Sequence, residues 1–347
     1  MRSTLLKSFL RLNHSLGRDP LIVQAAGGNI SVKDQADSML IKTTGFRLKD
    51  VRASRGWLSA PWRSLRRRLP DLKQFRGAVR REACYAEVLA RASPGPSKRI
   101  SMEAGFHAVL PQTWVAHTHS VAGMLLGMLP ASTARALAVG AIGSAEDIGW
   151  IPPSLPGYSL TMAMTNLLDR RKKPPCLWVQ RNHGLAWTGK TAEGLGKRSQ
   201  QLESAIRRSF GFQRFPFPHP AGSANCRSAS SGPPATGEHG RYCTEICFCR
   251  WPFRRFDFRP LFPDFVIYYD LQHGTRKDLH RLSDDIVHLC ASSVANQKDK
   301  EEVLFAHALL HTLAAQHHCL QPLPRTMIQT LKSLETEKHR LRRVNQP

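Results

Sequence analysis

Two histidines one residue apart, His117 and His119, are the first candidates for chemistry in this 347-residue sequence. They follow a short apolar run in Trp-Val-Ala-His-Thr-His, which predicts a strand from Trp114 to His119. Side chains alternate along a strand, so both imidazoles share one face, with backbone positions about 7 Å apart. Such a pair can converge on a zinc ion. The pattern also fits two strand histidines with ordinary hydrogen-bond partners.

A third histidine and a glutamate can complete such a site. His183 lies in the turn Gln-Arg-Asn-His-Gly, which ends an apolar strand predicted over residues 176–180. Glu103 lies in the first turn of a helix predicted from Ser101 to Leu110, with Ser101 as its cap. This helix leads into the strand of His117, so the Glu103 carboxylate can act as a fourth metal ligand or as a base.

Two glycine turns predict a binding site for an anion. The backbone N–H groups of Gly27-Gly28-Asn29 and of Thr43-Thr44-Gly45 can form a nest for phosphate oxygens. Polar side chains near these turns and at a helix start can assist, namely Asn29, Ser31, Thr44 and Ser101, with Lys42 as the cation. Each turn taken singly is also an ordinary connection. Together with metal ligands, the turns predict a small phosphorylated substrate held against a Lewis acid.

Two further clusters are weaker metal candidates. Cys243, Cys247 and Cys249 form a CxxxCxC pattern, but zinc sites usually space two pairs more regularly. His307 and His311 lie four residues apart on a predicted helix, without a carboxylate at motif spacing. We expect these histidines to be exposed or at the edge of the core. We expect the eight cysteines to be reduced thiols in a cytoplasmic protein.

The composition limits the partners that this chain can bind. The formal charge of +24 favours anionic partners such as phosphorylated metabolites, nucleic acid or acidic surfaces. Arginines concentrate in residues 52–91, where a solvated basic face is the expected arrangement, and no nucleic-acid motif accompanies them. No apolar run is long enough for a membrane span. The basic start of the chain predicts an amphipathic helix, although a targeting presequence has a similar composition.

The remaining pattern predicts alternating helices and strands up to residue 210. Further helices are predicted at residues 121–129, 160–168 and 191–210, and an irregular loop at residues 149–157. The chain then changes character: residues 211–258 are rich in Pro, Gly, Ser and Cys and predict a linker or disorder. Order returns in residues 259–347, where we predict a strand over 265–269 and helices over 279–295 and 301–316. We therefore expect a domain over residues 1–210, a linker and a partly helical C-terminal extension.

Five motifs in this order resemble the class II aldolase/adducin N-terminal family: QAAGGNISVK, IKTTGFRL, SMEAGFHAVLP, VAHTHSVAG and QRNHGLAWTGKTAEG. The resemblance covers about residues 5–210, and it implies a three-layer α/β/α fold with a central, mostly antiparallel sheet, usually assembled into tetramers. It implies that His117, His119 and His183 hold zinc, with Glu103 as ligand or base. It also implies a phosphate cradle made by Asn29, Thr44, Gly45 and Ser101.

The chain departs from the short aldolases of that family in three places. Met102 stands where they have a second serine, the segment between Gly45 and Ser101 is longer and rich in Arg, and the chain continues beyond residue 210. The stretch RPLFPDFVIYYD resembles part of the C-terminal extension of longer relatives in the rhamnose-utilisation group. By this resemblance we predict a zinc-dependent lyase that cleaves a ketose phosphate by a retro-aldol reaction. Epimerisation, dehydration or decarboxylation at the same site, or a non-catalytic adducin-like binding module, are the alternatives.

Overall fold

A seven-stranded sheet forms the centre of the computed structural model of the chain. The residues described by the structure are 2–95, 98–212, 219–220, 236–237, 241–247, 259–269, 279–281, 286–291 and 294–334. The strands of the central sheet are β1 (Asn29–Lys33), β2 (Ser38–Lys42), β3 (Trp57–Pro61), β4 (Trp114–Thr118), β5 (Ile148–Ile151), β6 (Leu177–Gln180) and β7 (Gly184–Gly189).

The order of the strands is β3-β2-β1-β4-β7-β6-β5. Every neighbouring pair is antiparallel except β5 and β6, which are parallel. This confirms the mostly antiparallel sheet expected from the sequence. Strand β5 lies partly inside the stretch 149–157, for which a loop was predicted, so that prediction was wrong at its start.

Helices cover both faces of the sheet. Their bounds are α1 (Arg2–Gly17), α2 (Trp62–Arg68), α3 (Ala78–Arg91), α4 (Ala104–Val109), α5 (Val121–Met128), α6 (Ala131–Ile142), α7 (Tyr158–Asp169), α8 (Ala192–Ser209), α9 (Pro263–Tyr268), α10 (Val294–Gln316) and α11 (Arg325–Ser333). Helices α1, α5, α6, α8 and α10 pack together in one layer, and α2, α3, α4 and α7 in the other. The three-layer α/β/α arrangement is thereby confirmed.

The opening helix is amphipathic, as predicted. Phe9, Leu12 and Leu16 of α1 are buried in the main core, and their spacing of three and four residues puts them on one face. Their burial against α8 and the sheet makes α1 part of the domain.

Strand β4 is buried on both faces, and its alternation decides which way its histidines point. Ala116 packs into the core on the α1 and α5 side, whereas Val115 packs into the cluster on the α4 and α7 side. His117 lies two residues after Val115 and therefore faces the α4 side. Asn29 of β1 lies directly opposite His117 in the antiparallel register, so its side chain faces the same way.

A second sheet lies in the C-terminal part of the chain. Its described strands are β8 (His219–Pro220), β9 (Thr236–Gly237), β10 (Arg241–Cys247), β11 (Leu279–Arg281) and β12 (Ile286–Ala291). Four of them follow the order β11-β12-β10-β8, and β9 pairs with β10. The helix predicted over 279–295 was therefore wrong. Val287, Leu289 and Ala291 are buried and lie two residues apart, which places them on one face of the strand that pairs with β10.

The strand predicted over residues 265–269 was also wrong, because this stretch belongs to α9. Pro263 occupies the first turn, where its fixed φ favours a helix, and Asp264 follows in the same turn. The apolar run after it is buried on all sides, and such a run has no period that separates a strand from a helix. The helix predicted over 301–316 is confirmed as part of α10.

The structure describes several of the cysteines, three of them as free thiols. Cys84, Cys176 and Cys319 are free thiols. Cys249 lies outside the described residues, and Cys243 and Cys247 lie on strand β10.

No helix within the described part of the chain has the length and apolar character that a membrane crossing requires.

Gly123 of α5 offers a test of the packing between this helix and β7. A Cβ at this position would lie 2.3 Å from the Leu185 Cγ, so Gly123→Ala is expected to destabilise the fold by about 1–3 kcal/mol. The measurement is chemical denaturation of both proteins. The matched control is Gly140→Ala at an exposed position of helix α6, where a Cβ has no neighbour within 4 Å and should stabilise by about 0.5–1 kcal/mol. Equal effects of the two substitutions would contradict the close contact.

Candidate active site

Four side chains distant in sequence meet beside strand β4. Each of Glu103, His117, His119 and His183 offers one ligand atom, and these atoms lie within 4.8 Å of one another. All four residues are buried. The arrangement is compatible with a metal site made of three imidazoles and one carboxylate.

The pairing of β4 with β7 fixes two of these histidines. His117 lies opposite Ala186, and its Nδ1 lies 2.9 Å from the Leu185 carbonyl oxygen. His183 immediately precedes β7, after Asn182 in a left-handed conformation with φ 58°. Gly184 follows with φ +148°, and a Cβ there would lie 2.1 Å from the Thr118 carbonyl oxygen. Only glycine therefore lets the turn of His183 approach β4 this closely.

Glu103 contacts two of the imidazoles. Its Oε1 lies 3.2 Å from His117 Nε2 and 3.1 Å from His183 Nε2. Helix α4 begins at Ala104, so the helix start and the cap predicted for Ser101 were wrong. Glu103 itself occupies the N-cap position, and the Ser101 hydroxyl accepts a hydrogen bond from the Glu103 N–H at 3.3 Å. This short turn directs the carboxylate at the histidines.

The charge states of the cluster favour ionised Glu103 and neutral His183. Burial alone raises the pKa of the Glu103 carboxyl, but the His117 and His183 imidazoles outweigh it and hold the pKa well below its ordinary value. Burial lowers the pKa of His183 to about 4, against the opposing effect of Glu103. A neutral imidazole and an ionised carboxylate are the forms that bind metals.

Hydrogen bonds at Nδ1 orient two of the imidazoles in the cluster. A carbonyl oxygen only accepts, so His117 donates from Nδ1 to Leu185, and the neutral form of this imidazole has its lone pair on Nε2. His119 Nδ1 lies 2.6 Å from Asp264 Oδ2, and its Nε2 lies 3.0 Å from His117 Nε2. In their neutral forms His117 and His119 therefore turn Nε2 lone pairs towards each other, beside the Glu103 carboxylate. A cation satisfies this arrangement, so the donor set fits a divalent metal ion.

A cleft opens next to this cluster and reaches the two glycine turns. Its empty volume is about 650 Å³, part of which is open solvent. Three cluster members line it: Glu103, His119 and His183. It is also lined by five residues of the predicted phosphate set: Gly28, Lys42, Thr44, Gly45 and Ser101. The structure therefore brings most of the metal and phosphate candidates to one cavity, whereas His117 and Asn29 do not line it.

Lys42 and Asn29 differ in how they relate to the cleft. The buried Lys42 ammonium donates to the carbonyl oxygens of Ala26 at 2.8 Å and Phe46 at 2.7 Å, so it joins the two turns to each other. Asn29 is buried opposite His117, and neither its Oδ1 nor its Nδ2 has a hydrogen-bond partner among the described residues. A buried amide without a protein partner is costly, and a ligand that reaches Asn29 would remove this cost.

Two residues at the cleft were missed by the sequence analysis. Arg99 lines the cleft, and its carbonyl oxygen accepts from the Thr44 N–H at 3.1 Å. Asp264 of α9 contacts His119 although 145 residues separate them. The only signals were a basic residue just before Ser101 and a Pro-Asp pair in the stretch RPLFPDFVIYYD, and neither spacing predicts a contact.

The helical histidine pair lies elsewhere. His307 and His311 are buried in α10, so the prediction of an exposed or core-edge position was wrong for His307, which has no exposed surface. The His307 ring stacks on Phe265 with centroids 3.8 Å apart, and its Nε2 donates to the Arg259 carbonyl oxygen at 3.0 Å. This histidine supports the packing of α9 on α10.

The burial of His183 predicts how the stability of the metal-free protein depends on pH. Its pKa is about 4 in the folded protein and 6.5 in the unfolded chain, so the unfolded chain binds this proton first. Stability is therefore expected to fall as the pH drops from 6.5 towards 4. The low pKa of Glu103 has the same sign, because its stabilisation is lost below the ordinary value of 4.5. Denaturation of chelator-treated protein across this range measures the loss, and His183→Gln should flatten it. An unchanged slope in this variant would contradict the assignment.

Comparison with known proteins finds relatives for somewhat more than half of the chain. The family model described as Class II Aldolase and Adducin N-terminal domain matches residues 8–209. The N-terminal class II aldolase domain of a conserved protein from Thermoplasma acidophilum is 24% identical, with a TM-score of 0.47, over 59% of this chain and 92% of that chain.

Two further solved structures are similar at lower identity. The l-fuculose-1-phosphate aldolase from Thermus thermophilus is 15% identical, with a TM-score of 0.41, over 60% of this chain and 94% of that chain. The sugar-phosphate aldolase from Thermotoga maritima is 15% identical, with a TM-score of 0.40, over 61% of this chain and 98% of that chain. No curated protein matches the sequence.

Proposed function

This chain belongs to the Class II Aldolase and Adducin N-terminal domain family, and we propose that it is a metal-dependent lyase that cleaves a ketose phosphate. The observation that carries the proposal is the meeting of Glu103, His117, His119 and His183 at the end of a cleft lined by two glycine turns. The proposal needs both the cluster and the glycine turns, because a phosphate-binding site without the cluster would bind a ligand without activating it.

We propose zinc as the metal, held by His117, His119 and His183 with Glu103 as the fourth ligand. Neutral imidazoles and a carboxylate are common zinc donors, and four donors match the tetrahedral preference of this ion. When bound, zinc would supply a Lewis acid that polarises a carbonyl group and stabilises the negative charge of the broken C–C bond. Another divalent metal with similar preferences is the alternative.

Glu103 is the residue that we assign to proton transfer. Its carboxylate is ionised at neutral pH, because its pKa is held low, and it lines the cleft. It can therefore accept a proton from a substrate hydroxyl once the substrate has displaced it from the cluster. His117 does not line the cleft, so the substrate meets the cluster on the side of Glu103, His119 and His183.

The other end of the cleft suits the phosphate group. The turns at Gly28 and at Thr44-Gly45 line it, together with Ser101 and the guanidinium-bearing Arg99. Backbone N–H groups and a cation bind phosphate oxygens well. Fixing the phosphate there would hold the reacting carbon beside the cluster, which lowers the entropic cost of the reaction.

Other reactions of the family use the same kind of site. Epimerisation, dehydration and decarboxylation differ from cleavage in the acid on the far side of the substrate. An adducin-like binding module is the non-catalytic alternative. We further propose that the protein is a cytoplasmic homo-oligomer, which by family resemblance is a tetramer. Sedimentation would measure the size of this oligomer.

His117→Ala tests the metal centre. We expect about one zinc per chain in the wild type, a loss of zinc affinity of at least ~100-fold in the variant, and loss of retro-aldol turnover to a similar degree. Zinc is measured by elemental analysis after dialysis, and turnover by coupled detection of aldehyde from a panel of ketose phosphates. The control is His318→Asn, because His318 is exposed with φ 51°, a conformation that Asn tolerates.

The outcomes of this test separate the candidate functions. A wild-type protein without stoichiometric zinc or any other divalent metal would favour the binding module and contradict the lyase. Zinc binding without aldehyde release would favour epimerisation, dehydration or decarboxylation. Unchanged zinc binding and turnover in His117→Ala would remove His117 from the site.

Asn29→Ala tests the phosphate end. Its buried amide has no described partner, so we expect little change in unfolding free energy, whereas KM for the phosphorylated ketose should rise ~10-fold from the lost hydrogen bond. Steady-state kinetics with the phosphorylated and the unphosphorylated sugar measure this, with inorganic phosphate as competing ligand. An equal loss for both sugars would show that Asn29 does not contact the phosphate.

A further inference from the structure

We propose that Asp264 is a positioning residue for His119, supplied by a segment outside the family match at residues 8–209. This inference rests on the proposed metal centre, and it assigns to the C-terminal part of the chain a role in that centre. Asp264 would fix the tautomer and orientation of one ligand and raise its basicity.

The geometry of the pair supports this role. Asp264 Oδ2 lies 2.6 Å from His119 Nδ1, and both residues are buried. A carboxylate oxygen accepts, so the His119 proton lies on Nδ1 and the lone pair on Nε2. That Nε2 is the atom that faces His117 Nε2 at 3.0 Å, inside the cluster. The contact thus exposes the ligand atom on the side where the other ligands meet.

The backbone covers the pair closely. A Cβ on Gly27 would lie 2.7 Å from His119 Nδ1 and 2.9 Å from Asp264 Oδ2. Glycine at this position therefore lets the first turn lie against the hydrogen bond and shield it from water. A charged hydrogen bond that is shielded from water is stronger than one in solvent. The same turn continues into Gly28, which lines the phosphate end of the cleft.

The surrounding residues hold Asp264 firmly. Helix α9 begins one residue before it at Pro263, and the Ala26 N–H donates to the Tyr268 hydroxyl at 3.4 Å. Phe265 has no exposed surface and stacks on His307 of α10. A carboxylate fixed by its own helix and by its neighbours can orient an imidazole, which a mobile one cannot.

A neighbouring carboxylate provides the control. Glu302 of α10 accepts from the Ala25 N–H at 2.8 Å and binds Arg47 Nη1 at 2.7 Å. It therefore holds the same turn through the same extension without contacting the cluster. Glu302→Gln should weaken this packing but leave zinc affinity within about threefold of the wild type, since no ligand loses its partner.

The test compares zinc affinity in Asp264→Asn, Asp264→Ala and Glu302→Gln by chelator competition. Both Asp264 variants are expected to bind zinc about 10–100-fold more weakly than the wild type. Asp264→Asn is close in size to the native side chain, so it keeps the test valid if the alanine variant fails to fold. Affinities within about threefold of the wild type in folded Asp264 variants would overturn the proposal. An equal loss in Glu302→Gln would do the same, because packing alone would then explain the effect.

A second measurement does not depend on zinc. Two-dimensional ¹H–¹⁵N NMR of the metal-free protein should show His119 protonated at Nδ1, and Asp264→Ala should shift the proton partly or wholly to Nε2. An unchanged tautomer in the variant would overturn the role of Asp264. A wild-type protein that binds no zinc but shows the expected tautomer shift would refute the metal centre while retaining the pairing.

Discussion

The meeting of three buried imidazoles and one buried carboxylate sets the main constraint on this structure. His117 Nε2 lies within about hydrogen-bonding distance of both His119 Nε2, at 3.0 Å, and Glu103 Oε1, at 3.2 Å. Acceptors at such distances repel unless a proton or a metal ion lies between them, and burial strengthens the repulsion. The fold must therefore supply the energy that holds them together. The cost is offset when a cation is shared by the cluster, which links metal binding to stability.

The sheet, and a few places where backbone segments lie close to the histidines, hold the four site residues in place. Strand β4 lies between β1 and β7 and is buried on both faces, so its register cannot slip without exposing a whole set of apolar side chains. Gly184 and Gly27 let neighbouring segments lie against the histidines, where any larger residue would collide. Lys42 adds two hydrogen bonds that join the two glycine turns. The phosphate and metal ends of the cleft therefore share one frame.

The C-terminal segment is part of this frame. Asp264 contacts His119, and Glu302 holds Ala25 and Arg47. The side-chain amide of Asn182, in the turn of His183, donates to the carbonyl oxygens of Leu261 and Gln321. Each of these contacts joins residues beyond 258 to a loop that carries a candidate site residue. Among the described residues, Lys42 and Arg99 are the lysine and arginine that line the cleft.

The local patterns of the sequence determined much of the first 210 residues, because helices and strands there follow short-range periodicity. The alternation of β4 puts His117 on a defined face, and paired glycines mark the turn at Gly28. Tertiary structure alone decided the rest. The period of β12 came from its pairing with β10, and α9 formed where an apolar run has no period of its own. The contact of Asp264 with His119 spans 145 residues, and no spacing in a sequence encodes which distant chain segments become neighbours when the core packs.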